Sequence, residues 1–289
     1  MRPLLFVATL LIMAGNALAA DGKQYGDGDR TAGSKASLPL WEMKLAGFGR
    51  VGAAYPASEE IETNVFPAPF PIYRGKILRL GDDTDKPVRT RIFQRDRVKL
   101  DIDFGFNFPA DSDDIDVRED MPDLDPLVEA GPEFELRFAD KYAGGDLYLA
   151  IQARGAWALD GLDPGSKGSI FTTELRYEKF YPKTKLVLKV QPEWASGDYM
   201  EYFYEVDAEF ATAERPAYEA KGGYLGTKFG FSVSRQITDD FELIGGARFG
   251  NFKGARNDDS PLYTDKTTAG VFLAFLWKFW ESEARATAE

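Results

Sequence analysis

The chain has 289 residues, a formal net charge of −12, no cysteine and no histidine. Without Cys there is no disulfide, thiol nucleophile or thiolate metal site, and without His there is no imidazole base and no ordinary zinc site. So acidic a chain also lacks the basic face that nucleic acid requires, which excludes nucleic-acid partners.

Arg2 opens the chain and Leu4 to Met13 form an apolar run too short to span a bilayer. Ala17-Leu18-Ala19 then places small residues at signal-peptidase spacing. Residues 1–19 read as a signal peptide cleaved after Ala19; the competing reading is a membrane anchor. Residues 20–39 are small, polar and aperiodic, and are expected to form a flexible tail on the periplasmic side.

From residue 40 onward the hydrophobic period is two. The first expected strand, 40–55, sets Trp41, Met43, Leu45, Val51 and Tyr55 against Glu42, Lys44 and Arg50. A second covers 69–80 and extends toward 89–94. The third alternates Val98, Leu100, Ile102, Phe104 and Phe106 with Lys99, Asp101, Asp103 and Asn107. The fourth, 127–139, and fifth, 146–157, oppose apolar residues to Glu129, Glu133, Glu135, Arg137, Asp146 and Arg154. The sixth, 169–181, carries Glu174 and Arg176, and the seventh, 185–194, carries Lys185, Lys189 and Glu193. The eighth and ninth run over 222–236 and 241–251.

The tenth begins at Thr268. Val271, Leu273, Phe275, Trp277 and Phe279 fall on one face, and Gly270, Phe272, Ala274, Leu276 and Lys278 on the other. On a soluble edge strand the first face would drive aggregation. On the closing strand of a transmembrane barrel, lipid solvates that face. The order of Thr268, Gly270, Leu273 and Phe275 also looks like the terminal-strand signal read by outer-membrane assembly machinery. Residues 281–289 remain as a polar C-terminal tail.

Short joins are expected near Arg95-Asp96, 140–145, 181–184 and 237–240, and long ones at 56–68, 109–126, 158–168, 195–221 and 252–267. The two alternate through all ten strands. That is the order of bacterial outer-membrane barrels, which place short turns in the periplasm and long loops outside. The expected fold is therefore all-β: one closed antiparallel transmembrane β-barrel over 40–280, with about 10 strands, or 12 if 81–94 or 199–206 forms another hairpin arm. Lys44, Arg50, Lys99, Asp101, Asp103, Glu129, Glu133, Glu135, Arg137, Asp146, Arg154, Glu174, Arg176, Lys185, Lys189 and Glu193, of both signs, would line the lumen. In so narrow a barrel they are expected to pair and plug it, against a competing reading as a solute pore.

Three features invite other chemistry. Asp111, Asp113, Asp114 and Asp116 could offer oxygens to a divalent cation, but the stretch lacks the glycine and closing glutamate of a helix–loop–helix calcium loop. A solvated acidic loop meeting lipopolysaccharide is the favoured reading. The pairs Glu59-Glu60 and Glu133/Glu135 have the residue types of a glycosidase, but one lies in a loop and the other in the lumen. Tyr199 to Tyr204 could stack on glycan, although loop packing or an interfacial girdle is the simpler reading. No catalytic residue, cofactor or metal site is expected.

Several motifs resemble one family. GRVGAAYP at 49–56, PFPIYRG at 69–75, DRVKLDI at 96–102, DSDD at 111–114, DMPDLDP at 120–126, EAGP at 129–132, YFYEV at 202–206 and DDSPL at 258–262 look like the MipA/OmpV (MltA-interacting protein) family. The resemblance runs from about Leu40 to Trp280. It implies a non-catalytic barrel in the Gram-negative outer membrane, contacting lipid and lipopolysaccharide and scaffolding murein synthesis. The implied partners are a lytic transglycosylase and a bifunctional murein polymerase. The tail 281–289 departs from the family, whose members mostly end near the terminal aromatic. Two other classes compete with the scaffold: a narrow channel for small solutes and a surface adhesin.

Overall fold

The computed structural model describes residues 38–75, 78–80, 88–90, 93–95, 97–160 and 163–286. The expected signal peptide and residues 20–37 of the expected tail lie outside these residues.

The described residues form one curled antiparallel sheet. Its long strands are β1 (Trp41–Ala53), β2 (Ile61–Arg74), β6 (Val98–Asn107), β7 (Leu127–Tyr142), β8 (Gly145–Asp160), β9 (Asp163–Tyr181), β10 (Thr184–Ala195), β11 (Gly223–Gln236), β12 (Phe241–Asn251) and β13 (Thr267–Glu281). Each is at least as long as the roughly 9–11 residues a tilted strand needs to cross a bilayer. Three short strands, β3 (Leu78–Leu80), β4 (Val88–Thr90) and β5 (Phe93–Arg95), complete the order β4-β3-β2-β1-β13-β12-β11-β10-β9-β8-β7-β6-β5. The first and last long strands in the sequence, β1 and β13, thus lie side by side, paired from Glu42↔Glu281 to Val51↔Val271. The expected closed ring is shown only as this curled sheet, since no ladder joins β4 to β5 among the described residues.

The expected alternation of faces is present. On β13, Val271, Leu273, Trp277 and Phe279 are exposed on the outside, while Ala274 and Leu276 are buried inside. Phe134, Phe171, Leu175, Leu188, Phe229, Phe231 and Phe249 continue the exposed apolar face around the sheet.

Three expectations are corrected. Residues 61–68 are strand, paired with β1 from Phe48↔Phe66 to Ala53↔Ile61. Pro67 had read as loop, yet proline at every second position (67, 69 and 71) removes N–H groups from one edge of a strand only. Phe66, Ala68 and Phe70, between them, remain able to donate to β1, and the edge without donors faces away from it. Residues 158–168 are not a long loop either. β8 and β9 stay paired out to Asp160↔Asp163, so this hairpin projects past its neighbours. Finally, the ends of the barrel segment are tied together. Leu40 donates its N–H to Ala284 O at 2.8 Å, and Ala286 donates to Leu38 O at 2.7 Å. Residues 38–40 and 284–286 therefore extend the β1–β13 seam and are not loose tail.

Among the described residues, the one α-helix, α1 (Gly197–Tyr204), follows β10. The possible hairpin arm at 199–206 is thus a helix. No helix among the described residues is long and apolar enough to cross a membrane.

Candidate functional site: a braced lumen under a folded cap

The inward residues of β6 to β10 come together as an ion-pair network. Strand alternation puts every second side chain inside, and register sets who meets whom. Asp103 pairs with Gly131 across β6 and β7, and on β8 Arg154 lies between Gly155, the partner of Ala130, and Gln152, the partner of Glu133, which brings it to the same level. Its Nη1 lies 2.7 Å from Asp103 and its Nε 3.0 Å from Glu129. Arg176 is a second hub. It contacts Glu135, sits 2.7 Å from Glu174 and 2.8 Å from Glu178, and lies over the Tyr148 ring. Lys99 reaches Glu135 at 3.2 Å, Lys189 reaches Glu174 at 3.6 Å, and Lys185 reaches Glu178 at 3.7 Å. Glu133 accepts from Gln152 Nε2 at 2.7 Å. Lys185 is only 1 % exposed. Charges this deep survive because each hub meets several opposite charges with hydrogen-bonding geometry.

Most of the expected lumen set is therefore assembled. Asp101 is buried, whereas Lys44, Arg50, Arg137 and Asp146 are half-buried. Arg50 Nε donates to Asn64 Oδ1 at 2.6 Å, and its guanidinium covers the Phe108 ring at 4.3 Å. Four members were not foreseen: Glu178, Lys228 (2.8 Å from Glu193) and the Glu42–Arg74 pair at 2.8 Å. Glu178 and Lys228 share the period-two signal of their neighbours. Arg74 lies in the expected second strand, 69–80, whose alternate prolines left its two faces unassigned.

The long-loop end is closed by a cap. Two 3₁₀ turns (Ser112–Asp114 and Asp116–Arg118), α1 and loop 252–266 pack around Tyr55, Ile115, Leu124, Tyr199, Met200, Phe203, Tyr204, Phe252 and Tyr263, all buried. On α1, Tyr199, Met200, Phe203 and Tyr204 have the i, i+1, i+4, i+5 spacing of a helical face. Their burial rules out the glycan-stacking reading and fits loop packing. Tyrosine hydroxyls stitch the cap to the rim: Tyr204 to Pro56 O at 2.8 Å, Tyr202 to Asp125 O at 2.8 Å, Tyr55 to Leu262 O at 2.6 Å. Tyr199 connects cap to lumen, donating to Glu129 Oε1 at 2.9 Å. Burial, reinforced by the Glu129 charge, pushes the Tyr199 hydroxyl well above its ordinary pKa, and burial does the same to Tyr204. Both stay protonated donors.

Two arginines brace the loops. Arg215 donates to the carbonyl oxygens of Phe210, Val117 and Glu119, and Arg118 to those of Phe203 and Pro122. Burial lowers the Arg118 pKa.

The acidic loop is part of this architecture. Asp111 Oδ1 accepts from Asp113 N at 3.0 Å and Asp123 Oδ1 from Ser112 N at 2.8 Å, so these carboxylates cap turns. Asp113, Asp114 and Asp116 are exposed. Among the described residues, no three acidic side chains are grouped to hold a metal ion. The proposed acid pairs are also engaged: Glu60 accepts from the Ser58 hydroxyl at 2.8 Å, and Glu133 and Glu135 belong to the network.

A family model matches residues 45–279, nearly the whole described sheet. The chain belongs to the MltA-interacting protein MipA family. No curated protein sequence matches the chain. Among solved structures it is similar to the translocator domain of autotransporter NalP from Neisseria meningitidis (10% identity, 96% of this chain and 94% of that one, TM-score 0.43). It is also similar to outer membrane phospholipase A from Escherichia coli (10% identity, 93% and 97%, TM-score 0.34). An outer membrane channel from Pseudomonas putida F1 matches at 12% identity over 87% and 100%, with TM-score 0.34.

Proposed function

We propose that this MipA family chain is a closed, non-catalytic outer-membrane barrel that scaffolds murein-remodelling enzymes. Closure is supported by the short strands. β4 pairs with β3, β5 pairs with β6, only residues 91 and 92 separate them, and β4 also lies alongside β6. Contact between β4 and β6 brings the two ends of the sheet together. The exposed apolar belt supports placement in lipid, with lipopolysaccharide beside the loops, and the leader-like residues 1–19 support export.

The observation that carries the scaffold reading is the combination of a packed cap with an ion-paired lumen. A barrel so braced offers no wide path for solute, which leaves its surfaces as its working parts. The family's description points to a lytic transglycosylase as one partner, with a murein polymerase as the second. Both would dock from the short-turn side, where 140–145 and the 38–40/284–286 seam lie. Crosslinkers placed at Tyr142 and Arg285 in cells should capture a murein enzyme, and the purified chain in planar bilayers should show no steady openings. Capture of nothing murein-related, together with steady single-channel current, would replace this reading with a channel. One observation favours that second reading: Arg248 faces inward yet is exposed, so water reaches part of the lumen.

A further inference from the structure

The outward faces of β9, β10 and β11 change character toward the short turns, and register aligns that change. Tyr177, Leu188 and Phe231 share one level, with Leu188 and Phe231 exposed as part of the apolar belt. The next outward level toward the turns holds Lys179, Leu186 and Val233, and the one after it Tyr181, Thr184 and Arg235. Lys183 lies beyond them, exposed in the turn between β9 and β10. Gln236 ties that turn to β11 by donating its N–H to Lys183 O at 3.0 Å. Three bases thus gather where the apolar belt ends.

Their charge is not cancelled on that face. The three levels contain no acid. The buried acids of β9 and β10, Glu174, Glu178 and Glu193, point inward, where Arg176, Lys185, Lys189 and Lys228 hold them. Lys179 donates to Ala143 O at 3.1 Å and lies over the Tyr181 ring at 5.5 Å, both neutral partners. In the turn after β11, Asp240 is held by Lys278 at 3.0 Å, and Asp239 is exposed. One exposed acid beside three bases leaves a local positive surplus in a chain that is −12 overall. The rim at the end of β13 differs. There Lys278 also meets Glu281 at 2.9 Å and Arg285 meets Glu281 at 3.8 Å, so its bases are balanced.

We infer that this patch holds one anionic phospholipid of the leaflet on the short-turn side. Its phosphate sits on Lys179, Lys183 and Arg235, and its chains run along Leu186, Leu188 and Phe231. Bases at the end of an apolar belt keep their stems on apolar surface and present their charge to headgroups. A phosphate diester offers one negative charge and several accepting oxygens to such donors. Tyr181, 47% exposed, stands beside them at the level of an interfacial aromatic girdle. A zwitterionic headgroup would bring its own cation to three like charges, so the patch favours a lipid with net negative charge. The inference rests on the placement of the sheet in lipid and not on the scaffold role.

The probe is dioleoylphosphatidylglycerol, offered with an equal amount of dioleoylphosphatidylcholine to the full chain in detergent, and native mass spectrometry counts the lipids retained. Each variant is first checked for the folded, heat-modifiable gel species. A single phosphatidylglycerol should be retained per chain, at least about tenfold over phosphatidylcholine. Lys179→Gln, Lys183→Gln and Arg235→Gln should each weaken retention about fivefold, the worth of one base near an anionic headgroup, and together about a hundredfold. The double variant Lys183→Gln/Arg235→Gln alters exposed side chains only and carries the same test, at about twenty-five-fold, should the triple variant not fold. Lys221→Gln, Lys253→Gln and Lys266→Gln together remove three exposed bases on the cap side, which changes net charge equally, and should leave retention as it was. Glycerol phosphate in excess, a headgroup without chains, should not displace the lipid. The proposal fails if both lipids are retained equally, if the folded rim variant retains phosphatidylglycerol as the unaltered chain does, if the cap variant loses it equally, or if glycerol phosphate displaces it. A chain that does not fold into phosphatidylcholine vesicles would overturn the placement in lipid, and this site with it.

Discussion

Across β12, β13, β1 and β2 the inward side chains include Ile244, Ala274, Leu276, Ala46, Phe48, Phe70 and Ile72, a small dry core. Across β6 to β10 they include Asp103, Glu129, Glu135, Glu174, Arg176, Glu178 and Lys185. Both walls have the same strand geometry and the same burial, but they respond differently to loss. An apolar wall loses contact area when a side chain is cut, and its neighbours relax into part of the space. A charged wall loses balance, because each remaining charge was tolerable only beside its partner. The charged wall should therefore be the more brittle, although it need not be the more stabilising.

Removing Arg176 is the sharpest test. Arg176→Met leaves Glu135, Glu174 and Glu178 facing one another, each under 5 % exposed. We expect a loss of about 5 kcal/mol, at the upper end for a broken buried pair. The midpoint of urea unfolding in detergent would show it. If Arg176→Met unfolds as the unaltered chain does, the network is not a balance of charges.

Phe70→Ala tests the apolar wall by the same measurement. Phe70 is fully buried between Ile72 and Phe48 in the inner cluster. The expected loss is about 3 kcal/mol, from transfer and cavity together. A loss exceeding that of Arg176→Met would invert the comparison.

The charged wall was largely legible in the sequence and the apolar wall was not. Lys99/Asp101/Asp103 and Glu129/Glu133/Glu135 announce their face because charges alternate with Phe and Leu. On β13 both faces are apolar, so period two shows that there are two faces but says nothing of what the inner one packs against. Phe48, Phe70 and Ile72 were hidden by glycine and proline nearby. The cap was less legible still. The Tyr199, Met200, Phe203, Tyr204 spacing marks a helix, but a run of aromatics in a long loop reads equally as a girdle. Arg118 and Arg215 hold carbonyl groups of distant loops, a role that no spacing encodes.

The cap joins both walls, and its bracing predicts a smaller, local effect. Arg215→Ala removes bonds to Phe210, Val117 and Glu119 while leaving the sheet untouched. We expect about 2 kcal/mol, the scale of hydrogen bonds to a charged donor, expressed as local opening. Protease nicking within 205–222 should accelerate, with little change in the urea midpoint. A midpoint shift as large as that of Phe70→Ala would mean that the cap and the sheet unfold as one unit.

The smallest effect belongs to a charged contact outside the barrel, and it completes the contrast with Arg176. Tyr218 donates to Asp259 Oδ1 at 2.5 Å, and that hydrogen bond holds the Asp259 carboxyl below its usual 3.8. A folded-state pKa lowered in this way contributes stability above the unfolded pKa. That contribution disappears as pH falls through the still lower folded value. Asp259 is exposed, so water screens the pair and the gain is slight. Tyr218→Phe should therefore raise nicking of 205–222 only modestly at neutral pH. The difference from the unaltered chain should persist through pH 4 and vanish in stronger acid, below the ordinary aspartate range of about 3.9, where Asp259 is protonated in both. If the difference instead grows as pH falls, the carboxyl is not held by Tyr218, and the buried and exposed charges of this chain do not differ in the way their surroundings require.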